Sequence, residues 1–383
     1  MVNPQMEAEQ AVLGAILLAP RQLRSLSAWL RPAHFYRPAH AALFEALLAQ
    51  QEAGHPGLVS DSDVDQLAWV TQAMAAASAA NPGFTAAYGH ALIAACPVPG
   101  HAVSYGRMVL ETAVRREVHE HAHRLLNAAR TGHIEAALQL TGALRTAIDR
   151  LADSWGSPDE RPRPAPGPWP LELSEHIVEE TRQHEQVLLG AVTAVPGELA
   201  EITSWLHPAD FLDPGHRAVY RALAALGHRG DPIDPLTVLW EVQHRGTLSG
   251  GDITADGVRS ITRAGFTGDP GYWAEQVLRA SVLRSATTSA GAVRLLSLDA
   301  SVPAARLLGS ALHVLRETEA MQKRWRTATS GAEPGTCDTR PGKHRRGAAR
   351  ARTLAPVPDT AGAAAPSPAQ QAVSPRAPVR STQ

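Results

Sequence analysis

The chain has 383 residues, enough for two or three domains, and its hydrophobic fraction of 44% is sufficient for buried cores. The formal net charge of -1 argues against binding of polyanions through bulk charge, and two cysteines, Cys96 and Cys337, cannot build a disulfide framework or a cysteine-based zinc site. No run of about eighteen apolar residues and no signal peptide are present, so we expect a cytoplasmic protein without a membrane span.

The first half of the chain is predicted to be helical throughout. Apolar residues recur at helical spacing, and proline or glycine marks where helices begin or end. The predicted helices span residues 7–19, 22–30, 38–54, 61–80, 84–95, 104–129 and 134–151. A tight turn at 131–133 joins the last two helices, which therefore form an antiparallel hairpin.

The second half is also predicted to be helical, and a proline-rich stretch separates it from the first. Residues 156–170 are predicted to form a semi-rigid extended linker. Helices resume at about residue 174 and end in a second hairpin, at 272–298 and 302–325. From about residue 326, small residues and proline dominate, which predicts a disordered tail. No segment alternates with period two, so the predicted fold class is all-α.

A long sequence repeat divides the chain. The stretch from Glu9 to Leu47 recurs 176 residues later without a gap, which indicates an internal duplication. The recurring residues include Glu9 and Glu185, Gly14 and Gly190, Trp29 and Trp205, Phe35 and Phe211, His40 and His216, and Phe44 and Tyr220. We therefore predict two tandem orthogonal helical bundles, each ending in a long helical hairpin. Their predicted bounds are 1–152 and 174–326, with a linker at 153–173 and a basic tail at 327–383.

Several motifs in both copies resemble a known family. They are Glu-Gln-Ala-Val-Leu-Gly-Ala-Ile-Leu at 9–17, Phe-Tyr-Arg-Pro-Ala-His at 35–40, Gly-Asp-Pro-Ile-Asp-Pro-Leu-Thr-Val-Leu at 230–239 and Arg-Gly-Thr-Leu-Ser-Gly-Gly at 245–251. In order and spacing they are similar to the N-terminal domain of the bacterial replicative DNA helicase (DnaB type). The resemblance implies a domain without chemistry of its own, oligomerisation through the helical hairpin, and docking of primase or a helicase loader.

The chain departs from that family's pattern in three respects. The second copy has a shortened region, residues 264–270, before its hairpin. The first copy has Val59 to Val64 in place of the family's Asp-Leu-Thr segment. The ATPase motor is not recognisable, because a P-loop needs a lysine after its glycines, and the chain's lysines are Lys323 and Lys343. We therefore expect two tandem copies without the motor, no nucleotide or other cofactor, and no enzymatic activity from this chain alone.

The candidate interface or domain-signature residues are aromatic, histidine and aliphatic positions of the two copies. They are Trp29, Phe35, His40, Phe44, Val109, Val114, Leu125, Trp205, Phe211, His216, Tyr220, Val277 and Val282. The aromatic residues could anchor a partner, or they could fill the core beside leucines at helical spacing. His40 and His216 could be catalytic or metal-binding, but no acidic or cysteine ligand stands at a suitable spacing, which favours a packing role.

A second histidine group lies on the first hairpin. His119, Glu120 and His123 fit the His-Glu-x-x-His string of zinc proteases. Such a site also needs a third ligand and a cleft, and we place the string on the solvated side of its helix. We predict no metal site, and zinc-protease chemistry remains an enzymatic alternative.

A basic cluster in the predicted tail is a candidate for nucleic-acid contact. Its residues are Lys343, Arg345, Arg346, Arg350 and Arg352. The cluster could neutralise a few phosphates, with weak and salt-dependent binding, or it could serve only to solvate the tail. No aromatic residue lies among these cations to stack on bases, so specific or single-strand binding is not indicated.

Besides the enzymatic alternative, the sequence supports one main hypothesis on function and two non-enzymatic alternatives. The main hypothesis is a non-catalytic protein-interaction and oligomerisation scaffold related to DNA replication, which docks primase, replicative helicase or a loader. The hairpins would mediate an intrachain pseudo-dimer or a homo-oligomer. The alternatives are a nucleic-acid-binding accessory factor acting through the basic tail, and a motor-less helicase relic. No membrane partner is expected.

Overall fold

Helices make up the regular structure in both halves. The computed structural model describes residues 4–60, 62–155, 175–248, 250–263 and 268–330. Seven α-helices lie in the described residues before 156: α1 (Pro4–Leu18), α2 (Leu23–Leu26), α3 (Pro38–Glu52), α4 (Asp63–Ala80), α5 (Ala86–Ala94), α6 (Ala102–Arg130) and α7 (Ile134–Trp155). Seven more lie in the described residues from 175 onward: α8 (Glu175–Ala194), α9 (Leu199–Ile202), α10 (Pro214–Arg229), α11 (Pro235–His244), α12 (Ala255–Arg263), α13 (Pro270–Leu298) and α14 (Ala304–Ser330).

The all-α prediction is confirmed. In the ranges that the structure describes, no residue belongs to a β-strand. None of the helices described has both the length and the apolar character that a membrane span requires. Each half ends in a long helical hairpin, α6–α7 in the first and α13–α14 in the second, as the sequence predicts.

Most predicted helix ends lie within a few residues of the structure, and two differences have a clear local cause. The helix predicted over 22–30 is broken into a 3-10 turn at Pro20–Gln22 and the four-residue α2. After α2, the N–H groups of Trp29 and Leu30 both donate to the carbonyl of Leu26, which closes a turn instead of extending the helix. The long hairpin helix begins at Ala102, before the predicted start at Ser104, because a 3-10 turn at Pro99–His101 leads directly into it.

Aspartate side chains fix several helix starts in the second half. The Asp213 carboxylate accepts hydrogen bonds from the N–H groups of Gly215 and His216, at 2.8 and 3.1 Å. Asp234 and Asp269 cap α11 and α13 in the same manner. In all three helices a proline follows the cap, where the missing N–H would have had no intrahelical partner. These caps hold the start of α10, and with it His216, in a fixed position.

The core of the first half is built around α1. Val12, Leu13 and Ile16 are fully buried and belong to a cluster that also contains side chains of α3, α5 and α6. Gly14 on the same helix permits a close approach of α5, because a Cβ at this position would lie 2.2 Å from the Leu92 carbonyl oxygen. The absence of a side chain at this glycine therefore sets the spacing between α1 and α5.

Replacing Gly14 with alanine is expected to destabilise the fold by about 1–3 kcal/mol, because the clashing atom belongs to the backbone of α5 and cannot rotate away. Urea denaturation measures the loss. Gly142→Ala is the matched control, since a Cβ at Gly142 on α7 meets nothing within 4 Å and alanine favours helix. Equal stability of the two variants would contradict the close approach of α1 and α5.

The two hairpins pack against each other. α6 lies along α13, and α7 contacts α14. Ala286, Ala290 and Val293 on α13 are buried in the same hydrophobic cluster as Val114 and Leu125 on α6. The chain up to Glu333 is one compact unit. The domain bounds at 1–152 and 174–326 therefore stay a prediction from the sequence repeat. Residues 153–155 of the predicted linker (153–173) belong to α7, and residues 327–330 of the predicted tail (327–383) belong to α14, so both helices run past the predicted bounds. The linker from 156 to 173 and the tail from 331 to 383 lie outside the described residues.

Candidate functional site

A buried glutamate–histidine pair joins α1 to the start of α3. His40 Nδ1 lies 2.6 Å from Glu9 Oε2, and both side chains are buried. The same carboxylate accepts hydrogen bonds from the N–H groups of Tyr36 and Arg37, at 2.6 and 3.4 Å. On the other side of the ring, His40 Nε2 lies 2.6 Å from the Tyr88 hydroxyl. Glu9 thus satisfies backbone N–H groups at the entry to α3 from a separate helix.

The second half contains the same pair. Glu185 is buried, and its Oε2 lies 2.9 Å from His216 Nδ1. Its carboxylate also accepts hydrogen bonds from the N–H groups of Leu212 and Asp213. Sequence spacing suggested no acidic partner for either histidine, because the glutamate comes from a helix earlier in the chain. In each half the pair fixes the first helix against the proline-initiated helix.

The residue six positions before each of these histidines differs between the halves. Asp210 is buried and forms an ion pair with Arg324, with 2.6 Å between the carboxylate and Nη1. In the first half this position is His34, which is 8% exposed. Its Nδ1 accepts a hydrogen bond from the Arg31 N–H at 3.1 Å, and Arg116 donates to its carbonyl at 3.2 Å. An imidazole among arginines therefore takes the place of a paired carboxylate.

Burial is the main cause that lowers the pKa of His34 from 6.5 to about 4, and the charges of Arg31, Arg116 and Arg150 add to it. In the unfolded chain His34 binds a proton as the pH falls below about 6.5, whereas in the folded chain it stays neutral until about pH 4. The free energy of unfolding should therefore fall as the pH drops from about 6.5 to about 4. A shift of this size corresponds to at most about 3 kcal/mol at pH 4. Urea denaturation across this pH range measures the effect.

The variant His34→Gln tests this prediction, since a glutamine oxygen can accept the Arg31 N–H without titrating. Burial also lowers the pKa values of His119 and His121, so part of the acid sensitivity should persist in the variant. The expected result is a smaller loss of stability between pH 6.5 and 4 than in the parent protein. His90→Gln, at an exposed histidine of α5, is the control, and parallel pH curves for parent and His34→Gln would refute the assignment.

Arginines on each hairpin bind the turn at the tip of the other. Arg115 on α6 donates hydrogen bonds to the carbonyls of Asp299, at 2.8 Å, and Val302. Arg279 on α13 donates to the carbonyl of Gly132, at 2.8 Å. The acceptors are backbone groups, so the contact depends on the path of each turn and not on its side chains. We call this pair of contacts the hairpin clasp.

Most of the predicted interface or signature residues lie inside the fold. Those no more than 6% exposed are Phe35, His40, Phe44, Val109, Val114, Leu125, Trp205, Phe211, Tyr220, Val277 and Val282. His216 and Trp29 are partly buried, and the Arg107 guanidinium lies 4.4 Å from the centre of the Trp29 ring. A role of these residues in binding another protein stays a prediction.

Large apolar side chains are exposed on α4 and α11, the helices that follow the proline-initiated helix in each half. Leu236 and Trp240 on α11 are 73% and 68% exposed, and Val64 and Leu67 on α4 are 76% and 68% exposed. Sequence reasoning missed them, because a helical pattern alone places apolar residues towards a core. Exposed apolar groups of this size are typical of surfaces that contact another protein.

The zinc-protease string lies partly against the second hairpin and not on a wholly solvated face, which corrects its predicted position. His119 Nδ1 lies 3.1 Å from the Ser297 hydroxyl, and the rings of His119 and His123 stack with centres 6.4 Å apart. Across the described ranges, no three His, Cys, Asp or Glu side chains are grouped to hold a metal ion. The candidate nucleic-acid contacts at 343–352 lie outside the described residues.

Fold and contacts together define an all-helical protein whose two halves pack through their terminal hairpins. The family model described as the DnaB-like helicase N terminal domain matches residues 2–111 and 178–262, about half of the chain. The chain belongs to the DnaB-like helicase N-terminal domain family, which confirms the resemblance seen in the sequence. The two matched segments lie in the two copies of the repeat.

Curated relatives of the chain are replicative DNA helicases. The replicative DNA helicase DnaB of Geobacillus stearothermophilus is 37% identical over 118 residues, which cover 30% of this chain and 24% of that protein. The replicative DNA helicase DnaC of Bacillus subtilis (strain 168) is 30% identical over 115 residues, or 29% of this chain and 25% of that protein. The replicative DNA helicase DnaB of Mycobacterium leprae (strain TN) is 38% identical over 64 residues, or 17% and 11%. The aligned part thus spans a quarter or less of each relative, and no solved structure matches the chain.

Proposed function

We propose that the chain is a non-catalytic scaffold for protein interaction and oligomerisation in bacterial DNA replication. The proposed scaffold acts in the cytoplasm and binds primase, replicative helicase or a helicase loader. One observation carries the proposal: two segments of one chain match a replicative-helicase domain family, and the hairpins that end the two halves pack together. The exposed apolar side chains on α4 and α11 support it, since they leave surface for a further protein.

The experiment is a direct binding measurement between the purified full chain and purified primase, replicative helicase and loader of the same cell. We expect saturable binding of at least one of them. Leu236→Ser combined with Trp240→Ser should weaken that binding about tenfold or more, since exposed aromatic anchors contribute much of the energy in such contacts. Met108→Ser, at another exposed apolar side chain, is the control. Failure of all three proteins to bind would remove the proposal.

The packed hairpins lead us to propose that each chain is an intrachain pseudo-dimer. Pairing within the chain occupies the hairpin surfaces that two separate chains would otherwise share. Size exclusion with light scattering should therefore give the mass of one chain, 40.7 kDa. An obligate higher oligomer that forms through the hairpins would count against intrachain pairing.

The basic tail remains a second candidate for contact, with nucleic acid as its partner. Eight Lys and Arg residues stand against three Asp and Glu residues in 327–383, which favours phosphate contact. Deleting 331–383 removes the cluster without touching the described helices. Affinity for double-stranded DNA that is unchanged by this deletion would exclude the tail as the contact.

A further inference from the structure

A cavity lies between the tip of the first hairpin and the second half. Its volume is about 630 Å³, within the range of about 300–1,000 Å³ typical of small-molecule sites. The walls come from residues 129–132 at the end of α6 and its turn, from α8, and from α13. The cavity therefore exists only while the two halves are packed together.

Positive charge predominates in the wall. Arg130, Arg279 and Arg284 line the cavity, and Glu180 is the carboxylate among its lining residues. Arg279 is held in place by its hydrogen bond to the Gly132 carbonyl, at 2.8 Å. The guanidinium groups of Arg130 and Arg279 outnumber the carboxylate of Glu180, which favours an anion over a cation or a neutral molecule.

Arg284 is engaged with the second half and is not a contact for a bound molecule. Its Nη2 donates to the Asp210 carbonyl, and its Nη1 is enclosed without a hydrogen-bond acceptor among the described residues. The Asp210 carboxylate is already paired with Arg324 at 2.6 Å. The buried carboxylates of Glu185 and Asp210 act on the charge of Arg284 and offset it, so Arg130 and Arg279 are the groups in reach of a bound molecule.

The rest of the wall includes apolar side chains. Ile177 on α8 and Ala280 and Leu283 on α13 line the cavity beside the hairpin tip. The hydroxyl of Thr181 donates to the Ile177 carbonyl of its own helix, at 2.7 Å, so its proton is not available to a bound anion. A ligand that fits must therefore combine an oxyanion with a compact apolar body.

We propose that this cavity binds a small organic anion, with its phosphate or carboxylate group at Arg130 and Arg279 and its apolar part at Ile177 and Leu283. A guanidinium suits both oxyanions because its fork of N–H groups matches their paired oxygens. Such a ligand touches the first hairpin and the second half at once, so its binding would favour the packed arrangement.

The test uses the full chain and three probes that share one ring system: naphthyl phosphate, naphthoate and neutral naphthol. Calorimetric titration should show saturable one-to-one binding of at least one anion, with naphthol about tenfold weaker or more, since a charge-assisted hydrogen bond is lost. The anion that binds with the higher affinity shows whether the cavity prefers a phosphate or a carboxylate group. Absence of anion binding, or equal affinity for naphthol, would overturn the proposal.

Substitutions then locate the binding. Arg130→Gln and Arg279→Gln should each weaken binding of the preferred anion about tenfold, and Ala280→Phe should abolish it by filling the cavity. Arg24→Gln and Ala79→Phe, at exposed positions elsewhere, are the matched controls and should bind as the parent does. Arg130 is exposed at the rim, so its variant tests the charge even if Arg279→Gln loosens the hairpin clasp. Unchanged affinity in Arg130→Gln and Ala280→Phe would place the site elsewhere and refute the proposal.

Discussion

Glu185→Ala is expected to destabilise the fold by about 3–5 kcal/mol, a large part of the stability of an ordinary domain. The buried carboxylate accepts hydrogen bonds from the N–H groups of Leu212 and Asp213 and lies 2.9 Å from His216. Its removal leaves these groups buried without an acceptor. Chemical denaturation followed by circular dichroism measures the loss.

The repeat provides an internal replicate for this experiment. Glu9→Ala removes the equivalent carboxylate from the first half and should have an effect of similar size. Glu185→Gln keeps one acceptor oxygen and should lose less than Glu185→Ala. Glu179→Ala, at an exposed position of α8, is the control. A loss in Glu185→Ala no greater than in Glu179→Ala would show that the pair contributes nothing to stability.

Ala290→Glu should disrupt the packing of the hairpins, with a loss of about 4 kcal/mol or more. Ala290 on α13 is fully buried in the cluster shared with α6, so the new side chain brings both excess volume and an unpaired charge into a closed contact. We expect a lower midpoint of urea unfolding and a larger radius of gyration in solution scattering.

Ala79→Glu is the matched control for this substitution, because Ala79 is exposed on α4. Scattering together with circular dichroism distinguishes two ways in which Ala290→Glu can act. An expanded particle that keeps its helical signal indicates separated halves, while loss of the helical signal indicates global unfolding. A particle of parent size and parent stability would mean that Ala290 does not lie in a packed contact.

The sequence predicted the helices and hairpins well, because their signals are local. Apolar spacing and the positions of proline gave the hairpin helices within a few residues, and the repeat from Glu9 to Leu47 gave the order of elements. The helix predicted over 22–30 was too long, because a turn closed by hydrogen bonds to Leu26 carries no periodic signal.

The contacts between helices were harder to predict. Glu9 and His40 are far apart in the chain, and spacing along one helix could not pair them. The signal available was their joint recurrence as Glu185 and His216. Two polar residues that recur together inside apolar helices are expected to form a hydrogen bond with each other, because buried polar groups require partners. Tyr88 has no equivalent in the recurring stretch and could not have been found in this way.

The hairpin clasp was beyond sequence reasoning for a different reason. Arg115 and Arg279 bind backbone carbonyls, and every residue has a carbonyl, so no acceptor residue marks the partner. Trp240 presents the opposite problem, since an apolar residue in a helix predicts burial and the structure exposes it. Whether such a residue faces a core or water depends on which elements cover it.

Because the two hairpins lie on one polypeptide, their association does not depend on protein concentration as the association of two separate chains does. Two separate chains fall apart when their concentration drops below the dissociation constant, whereas tethered partners remain at a fixed effective concentration of millimolar order. The contact of α6 with α13 should therefore survive dilution to single molecules, and a few copies of the chain would each present an assembled pair.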